Sequence, residues 1–161
     1  MYLNCHSFHS LRYGTIPLLD LVQQAVFCGV KIMALTDINT VTGIYDFIKA
    51  CKEAEIKPLV GIEFRCNHQL RYIGLAKNTN GLAEMNRFLT KNNFENSPLQ
   101  STAPDFNDVT IIYSFENKPT KLKAHEYIGI APDQLPKLFL PEWKVLLHKM
   151  VVLQPVTFRT K

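Results

Sequence analysis

Short apolar runs that alternate with segments of helical periodicity are the feature that most constrains the fold. Residues 31–36 and 58–64 are nearly continuous in apolar side chains, as expected of strands that are buried on both faces. Residues 17–27 and 42–54 instead carry apolar residues at helical spacing. Strands that alternate with helices in this way predict an α/β fold with a parallel sheet. The periodicity does not distinguish an open sheet from a closed barrel.

The same alternation continues to the end of the chain. A further helix is predicted to begin with Thr79 as its cap, and residues 132–149 are predicted to form a broken helix because Pro136 and Pro141 interrupt it. The remaining predicted strands cover residues 3–5, 70–76, 109–115, 127–130 and 150–153. The whole chain, residues 1–161, is therefore interpreted as a single domain.

The cysteines and the amino terminus bear on the compartment. Cys28 and Cys51 fall on the apolar stripes of the first two helices and are predicted to be small buried side chains, and no CxxC pair is present. This use of cysteine suits a reducing cytosol. Residues 1–4 lack the charged segment of a signal peptide, and no window is long and apolar enough to span a membrane. We therefore expect a cytoplasmic protein with no membrane partner.

The net charge of +4 comes from one end of the chain. Residues 1–114 hold ten basic and ten acidic residues, whereas residues 115–161 hold eight basic and four acidic ones. A basic end can face nucleic acid or an acidic partner, but such a run is more often a solvated face.

Three polar side chains follow the predicted strands at one edge. His6 lies just past the first strand, Asp37 ends the second, and Glu63 lies near the end of the third. Ligands bind at the carboxyl ends of strands in parallel α/β folds, and this set of donors suits Zn²⁺ or Mn²⁺. The alternative is structural: Asp37 would cap a turn, Glu63 would pair with a nearby base, and His6 would be held by hydrogen bonds.

Four stretches resemble the motifs of a known family. Residues 3–14 (LNCHSFHSLRYG) resemble LHxHSxYSLLDG, and residues 34–39 (ALTDIN) resemble ALTDHG. Residues 56–63 (IKPLVGIE) resemble IKPIIGxE, and residues 74–78 (GLAKN) resemble LLAKN. In this order, the motifs are similar to those of the PHP (polymerase and histidinol phosphatase) domain at the amino terminus of bacterial C-family DNA polymerases, the DNA polymerase III alpha-subunit family.

The resemblance implies a fold and a parent activity. The family fold is a distorted seven-stranded (β/α) TIM-like barrel, of which this chain could lack the last element. The chain would be a fragment of a much longer polymerase, a nucleotidyltransferase that uses Mg²⁺ and synthesises DNA in replication. Its partners would be the palm and thumb of that polymerase, a proofreading exonuclease, and DNA through the parent protein.

The sequence departs from the family at positions that carry metal ligands in active members. The matching ligands are His6, Asp37 and Glu63, which would form a vestigial metal site. The substituted positions, by the same resemblance, are Asn4, Tyr13, Ile38, Arg71 and Phe115. Ile38 and Phe115 cannot bind a metal, and Arg71 would place a fixed positive charge where a metal should lie.

These substitutions favour a domain without catalytic residues and without a cofactor. Its role would be structural or would lie in partner binding, with Tyr13 and Arg71 replacing metal-mediated contacts. One alternative is an active metal-dependent phosphoesterase or 3′–5′ exonuclease with Zn or Mn at the rim. A second is a non-catalytic nucleic-acid-binding module that uses Arg71 and the basic end.

Overall fold

A computed structural model describes residues 1–157 and shows one seven-stranded sheet whose strand order follows the chain. The strands are β1 (Tyr2–Cys5), β2 (Ile32–Leu35), β3 (Lys57–Cys66), β4 (Gln69–Ala76), β5 (Val109–Ser114), β6 (Glu126–Ile130) and β7 (Met150–Val152). The α-helices are α1 (Leu18–Phe27), α2 (Ile44–Glu53), α3 (Thr79–Phe94) and the short α4 (Pro141–Lys144). Two 3₁₀ helices, Pro132–Phe139 and Leu147–Lys149, flank α4, which confirms the predicted broken helix.

The sheet is mixed, so the prediction of a parallel sheet was wrong for its centre. Strand β4 pairs antiparallel with both β3 and β5, whereas the other neighbours pair parallel. The cause is the connection between β3 and β4, which consists of Asn67 and His68 with φ values of 50° and 65°. Two residues in this conformation form a hairpin turn, and so short a connection can join only antiparallel strands.

The sheet curls into a half-barrel, in agreement with the barrel-like fold that the sequence resemblance implies. Val156, just past β7, forms an isolated parallel bridge with Cys5 of β1. The His6 amide donates to the Val156 carbonyl at 2.9 Å, and the Val156 amide donates to the Asn4 carbonyl at 2.9 Å. The segment that follows β7 therefore contacts the edge strand β1 beside residues 4–6, although β7 itself does not pair with β1.

Alternate residues of the strands face two separate apolar layers. On β4, Tyr72 packs with Met85 of α3 on the outer face. The next residue, Ile73, packs on the inner face with Ala34 and Ile112. This alternation allows both faces of the curled sheet to be buried.

The helices begin and end close to the predicted residues. The cap of α3 is Asn78, whose side chain accepts a hydrogen bond from the Gly81 amide at 3.1 Å, so the prediction of Thr79 as the cap was wrong by one residue. Gly29 follows α1 with φ 66°, a conformation that glycine adopts without strain. None of the helices among the described residues is long and apolar enough to cross a membrane.

The cysteines differ in burial more than the helical pattern predicts. Cys51 is buried, as predicted, but Cys28 is exposed because it caps the carboxyl end of α1 and lies past the last buried turn. Burial raises the pKa of Cys51 to about 11. Burial, and then the charge of Asp37, raises the pKa of Cys5 to about 12.

Thiol labelling tests this arrangement. At pH 8 under native conditions, Cys28 should react with a thiol reagent within seconds to minutes, and Cys5 and Cys51 should react only as the chain unfolds, because they are buried and protonated. Mass spectrometry of peptides after timed quenching gives the rate for each site. A Cys28→Ser variant is the control and should lose the label at this position, while Cys5 and Cys51 keep their slow rates; equal rates at Cys28 and Cys51 would contradict the fold.

Candidate functional site

The first three strands bring four polar side chains together at one rim of the sheet. The parallel ladder extends past the strands, since the Glu63 amide donates to the Asp37 carbonyl at 3.2 Å and the Asn39 amide donates to the Glu63 carbonyl at 3.0 Å. Asn4, His6, Asp37 and Glu63 are between 0% and 3% exposed. Each therefore needs its hydrogen-bond partners within the protein.

Glu63 lies at the centre of the first network. Its Oε2 accepts a hydrogen bond from Asn4 Nδ2 at 3.0 Å and lies 3.0 Å from His6 Nε2. Its Oε1 forms an ion pair with Nε of Arg65. Burial alone would raise the pKa of Glu63, but the hydrogen bond and charge of His6, followed by those of Arg65, outweigh it and hold the pKa below its ordinary value. Glu63 is thus an ionised carboxylate at neutral pH.

Asn4 and His6 are fixed by partners on their far sides. The Thr36 hydroxyl donates to Asn4 Oδ1 at 2.8 Å, which turns the amide nitrogen of Asn4 toward Glu63. His6 Nδ1 lies 3.2 Å from the Thr157 hydroxyl. Asn4, which the resemblance marks as a substituted position, therefore serves as a hydrogen-bond donor to the carboxylate.

Asp37 belongs to a second network, separate from Glu63. Its Oδ1 accepts from the Ser7 amide at 2.7 Å and from the Ser10 hydroxyl at 2.6 Å, and its Oδ2 accepts from the Ser7 hydroxyl at 2.7 Å. The Ser10 hydroxyl also accepts from the Ile38 amide at 3.0 Å. Asp37 thus holds the loop that follows β1. Of the three predicted ligands, the structure pairs His6 with Glu63 and gives Asp37 other partners.

Arg65 is covered by an aromatic ring. Its guanidinium carbon lies 4.6 Å from the centre of the Tyr13 ring, in a cation–π contact. The Tyr13 hydroxyl lies 2.6 Å from His68 Nδ1 in the hairpin turn. Asn39 fixes the main chain of Arg65, since its side chain accepts from the Arg65 amide at 3.0 Å and donates to the Arg65 carbonyl at 2.9 Å. Tyr13, a substituted position, thus stabilises the cation that neutralises Glu63.

The side chains of the other substituted positions make no contact with the Glu63 carboxylate among the described hydrogen bonds and ion pairs. Arg71 lies beside the segment 98–102, and the cation that pairs with Glu63 is Arg65. Phe115 packs against Trp143, with ring centres 4.6 Å apart, in a cluster on β6. Ile38 contributes its main chain, through a bridge with Glu63.

The sequence interpretation missed Arg65, although a signal was present. Residues two apart on a strand share a face, so Arg65 lies on the same side of β3 as Glu63. The structural alternative for Glu63, pairing with a nearby base, describes what the structure shows. The basic residues Arg159 and Lys161 of the predicted basic end lie outside the described residues.

The described rim does not suit a metal cluster. Within residues 1–157, no group of three or more His, Cys, Asp or Glu side chains lies close enough to hold a metal ion. Both oxygens of Glu63 already receive N–H donors or a cation, and Arg65 carries a charge that repels a metal. The two oxygens of Asp37 are engaged by serines.

Comparisons with known proteins agree with the fold. The family model of the PHP domain matches residues 3–125. The DNA polymerase III subunit alpha of Staphylococcus aureus (strain Mu50) is 28% identical over 170 aligned residues, which cover 99% of this chain and 15% of that protein. The error-prone DNA polymerase of Symbiobacterium thermophilum is 34% identical over 90 residues, which cover 56% of this chain and 8% of that protein.

A solved structure of an amidohydrolase from Chromobacterium violaceum matches with a TM-score of 0.44 and 20% identity, covering 58% of this chain and 34% of that one. The chain spans only 8% and 15% of the two polymerases. The family model matches residues 3–125, which is most of the chain, and the match to the Staphylococcus aureus polymerase covers 99% of the chain. The chain therefore belongs to the PHP domain family and is homologous to the amino-terminal region of DNA polymerase III alpha subunits and error-prone DNA polymerases.

Proposed function

We propose that residues 1–161 form the amino-terminal PHP domain of a cytoplasmic C-family DNA polymerase, and that the rim of this domain has a structural role in place of a catalytic one. The parent chain would carry out DNA-directed DNA synthesis with Mg²⁺ in its palm. The domain would pack against the palm and thumb and could offer a surface to a proofreading exonuclease. The homology to polymerases along nearly the whole chain supports this context.

The contact between Arg65 and Glu63 is the observation that carries the structural role. A metal-dependent phosphoesterase needs a bound water whose pKa the metal lowers, and it needs an open coordination position for the substrate. A guanidinium supplies positive charge but binds no hydroxide and remains protonated. The positive charge of Arg65 neutralises the Glu63 carboxylate, as a metal ion would. Unlike a metal ion, however, the guanidinium cannot bind and activate a water molecule.

The position of Arg65 is determined from several directions. Asn39 holds its main chain, Tyr13 lies over its guanidinium, and Nη1 approaches the His68 carbonyl at 3.4 Å. Binding of a metal at Glu63 would require the guanidinium to leave the Tyr13 ring and the His68 carbonyl. We therefore infer that the vestigial ligands His6, Asp37 and Glu63 now stabilise the junction of the first three strands.

Metal uptake and turnover test the proposal. After incubation with Zn²⁺ or Mn²⁺ and dialysis, elemental analysis of the purified chain should find far less than one equivalent of metal. Hydrolysis of p-nitrophenyl phosphate and of a 3′-labelled oligonucleotide should equal the buffer rate. A variant with Asn4→His, Tyr13→Asp and Ile38→His restores family ligands and serves as a control for uptake. Two bound metals with turnover in the unmodified chain would contradict the proposal.

The contribution of Arg65 to stability is a separate prediction. Arg65→Met should lower the free energy of unfolding by about 2–4 kcal/mol, because a buried carboxylate loses its cation. In the double variant with Glu63→Gln, the loss should be smaller than the sum of the single losses by about 1–3 kcal/mol. Urea denaturation at pH 7 measures both values.

The matched control is an exposed ion pair. Lys91 Nζ, on α3, lies 3.9 Å from Oε1 of Glu95, which caps the carboxyl end of that helix, and the two side chains are 70% and 47% exposed. Lys91→Met should change the free energy of unfolding by less than about 0.5 kcal/mol. Additive effects of Arg65→Met and Glu63→Gln would show that the two side chains do not depend on each other, against the structural role.

A further inference from the structure

Arg71 is a partly buried cation that no described residue neutralises. It lies in β4, and its Nε is buried without a hydrogen-bond acceptor among residues 1–157. No ion pair involves it in the described part of the chain. Arg65, in contrast, has the Glu63 carboxylate and the Tyr13 ring as partners. A buried charged donor without an acceptor is costly, so Arg71 is a candidate to bind an acceptor that the described residues do not supply.

Arg71 lies in a polar depression of the surface. The depression has a volume of about 480 Å³ and is lined by Arg71, Pro98, Leu99, Gln100, Ser101 and Thr102. None of these residues is acidic, so the positive charge of Arg71 is not offset within the lining. The side chains of Gln100, Ser101 and Thr102 are exposed and carry an amide and two hydroxyls.

The segment 98–102, which lines the depression together with Arg71, is anchored by buried residues near both of its ends. Leu99 and Ala103 are buried in the apolar layer under α3, together with Tyr72 and Tyr113. The Ala103 amide donates to the Tyr113 hydroxyl at 3.1 Å. The polar side chains between these anchors are therefore presented beside Arg71 on a fixed main chain.

A bulge in the sheet directs Arg71 to this position. The register of β3 and β4 shifts between Phe64 paired with Tyr72 and Arg65 paired with Leu70, which leaves Arg71 unpaired. Bulges commonly change the direction of a side chain next to a functional site. The described chain has two buried polar side-chain atoms without a partner, Arg71 Nε and the Tyr72 hydroxyl, and they belong to consecutive residues at this bulge.

We propose that this depression binds a phosphate group. The guanidinium offers parallel N–H donors and full positive charge, which match the oxygens of a phosphate. The hydroxyls of Ser101 and Thr102 and the amide of Gln100 can supply further donors. The group could come from free phosphate or pyrophosphate, or from the phosphodiester of a nucleic-acid strand, and the chemistry of recognition is the same. The inference does not depend on the proposed role of the rim.

Phosphorus NMR of inorganic phosphate tests the proposal. Phosphate is titrated with the 161-residue chain at constant ionic strength in chloride, and the line width is followed. The unmodified chain should broaden the line saturably. Arg71→Gln should weaken the affinity about tenfold or more, because a charge-assisted hydrogen bond is lost. Arg71→Lys should fall between the two, because it keeps the charge and loses the planar fork.

The matched control is Arg87→Gln. Arg87 is an exposed arginine of α3, so this variant has the same net charge as Arg71→Gln and should keep the affinity of the unmodified chain. Thermal melting of both variants separates loss of binding from loss of fold. Because no described hydrogen bond or ion pair of Arg71 is removed, Arg71→Gln should melt at or above the temperature of the unmodified chain. If it nevertheless melts lower, Thr102→Val serves as the second variant and should weaken phosphate binding as well.

A competing oligonucleotide identifies the source of the phosphate. A short single strand that displaces the phosphate, and does so only when Arg71 is present, would assign the site to a strand. Displacement by pyrophosphate but not by the strand would assign it to a small molecule. Absence of saturable broadening, or equal affinity of Arg71→Gln and Arg87→Gln, would overturn the proposal and leave water as the occupant of the depression.

Discussion

A fully buried carboxylate must be neutralised inside the protein, and the rim of this domain is arranged around that requirement. Glu63 is 0% exposed and lies three residues before the end of the third strand, level with the residues that follow the second strand. In active relatives of the family, metal ions are expected to balance such charges. Here Arg65 of the same strand supplies the positive charge, while Asn4 and His6 complete the hydrogen bonds. Under the proposed function, Tyr13 belongs to the same arrangement, because its ring covers the guanidinium of Arg65.

The fold determines which cation can reach Glu63. The hairpin at Asn67 and His68 reverses the chain directly after β3, so that His68 returns to face Tyr13. Tyr13 comes from the loop after β1, which Asp37 holds through Ser7 and Ser10. The two carboxylates therefore have different tasks: one anchors the loop that carries Tyr13, and the other pairs with the arginine that Tyr13 covers.

Much of the fold and of the candidate site could be predicted from the sequence. Apolar periodicity determines where strands and helices form, and the family motifs indicate which residues lie at the ends of neighbouring strands. The seven strands, the broken helix and the approach of His6 to Glu63 followed from those patterns. The antiparallel pairing at the centre of the sheet could not be predicted from the periodicity, because it depends on the conformation of two turn residues, Asn67 and His68. The family motifs assign Arg71 to the rim, whereas the structure shows it unpaired at a bulge beside the segment 98–102, and apolar periodicity does not reveal a bulge. The prediction that Cys28 is buried was wrong because a residue at the end of a helix can fit the apolar spacing without packing against the core.

The most direct test of the central claim is a crystal structure of the chain grown with excess Zn²⁺, with anomalous diffraction collected at the zinc edge. The account predicts that no anomalous peak lies within coordination distance of Glu63, and that the guanidinium of Arg65 remains between the carboxylate and the Tyr13 ring. One or more zinc ions bound by His6 and Glu63, with Arg65 displaced from the carboxylate, would contradict it.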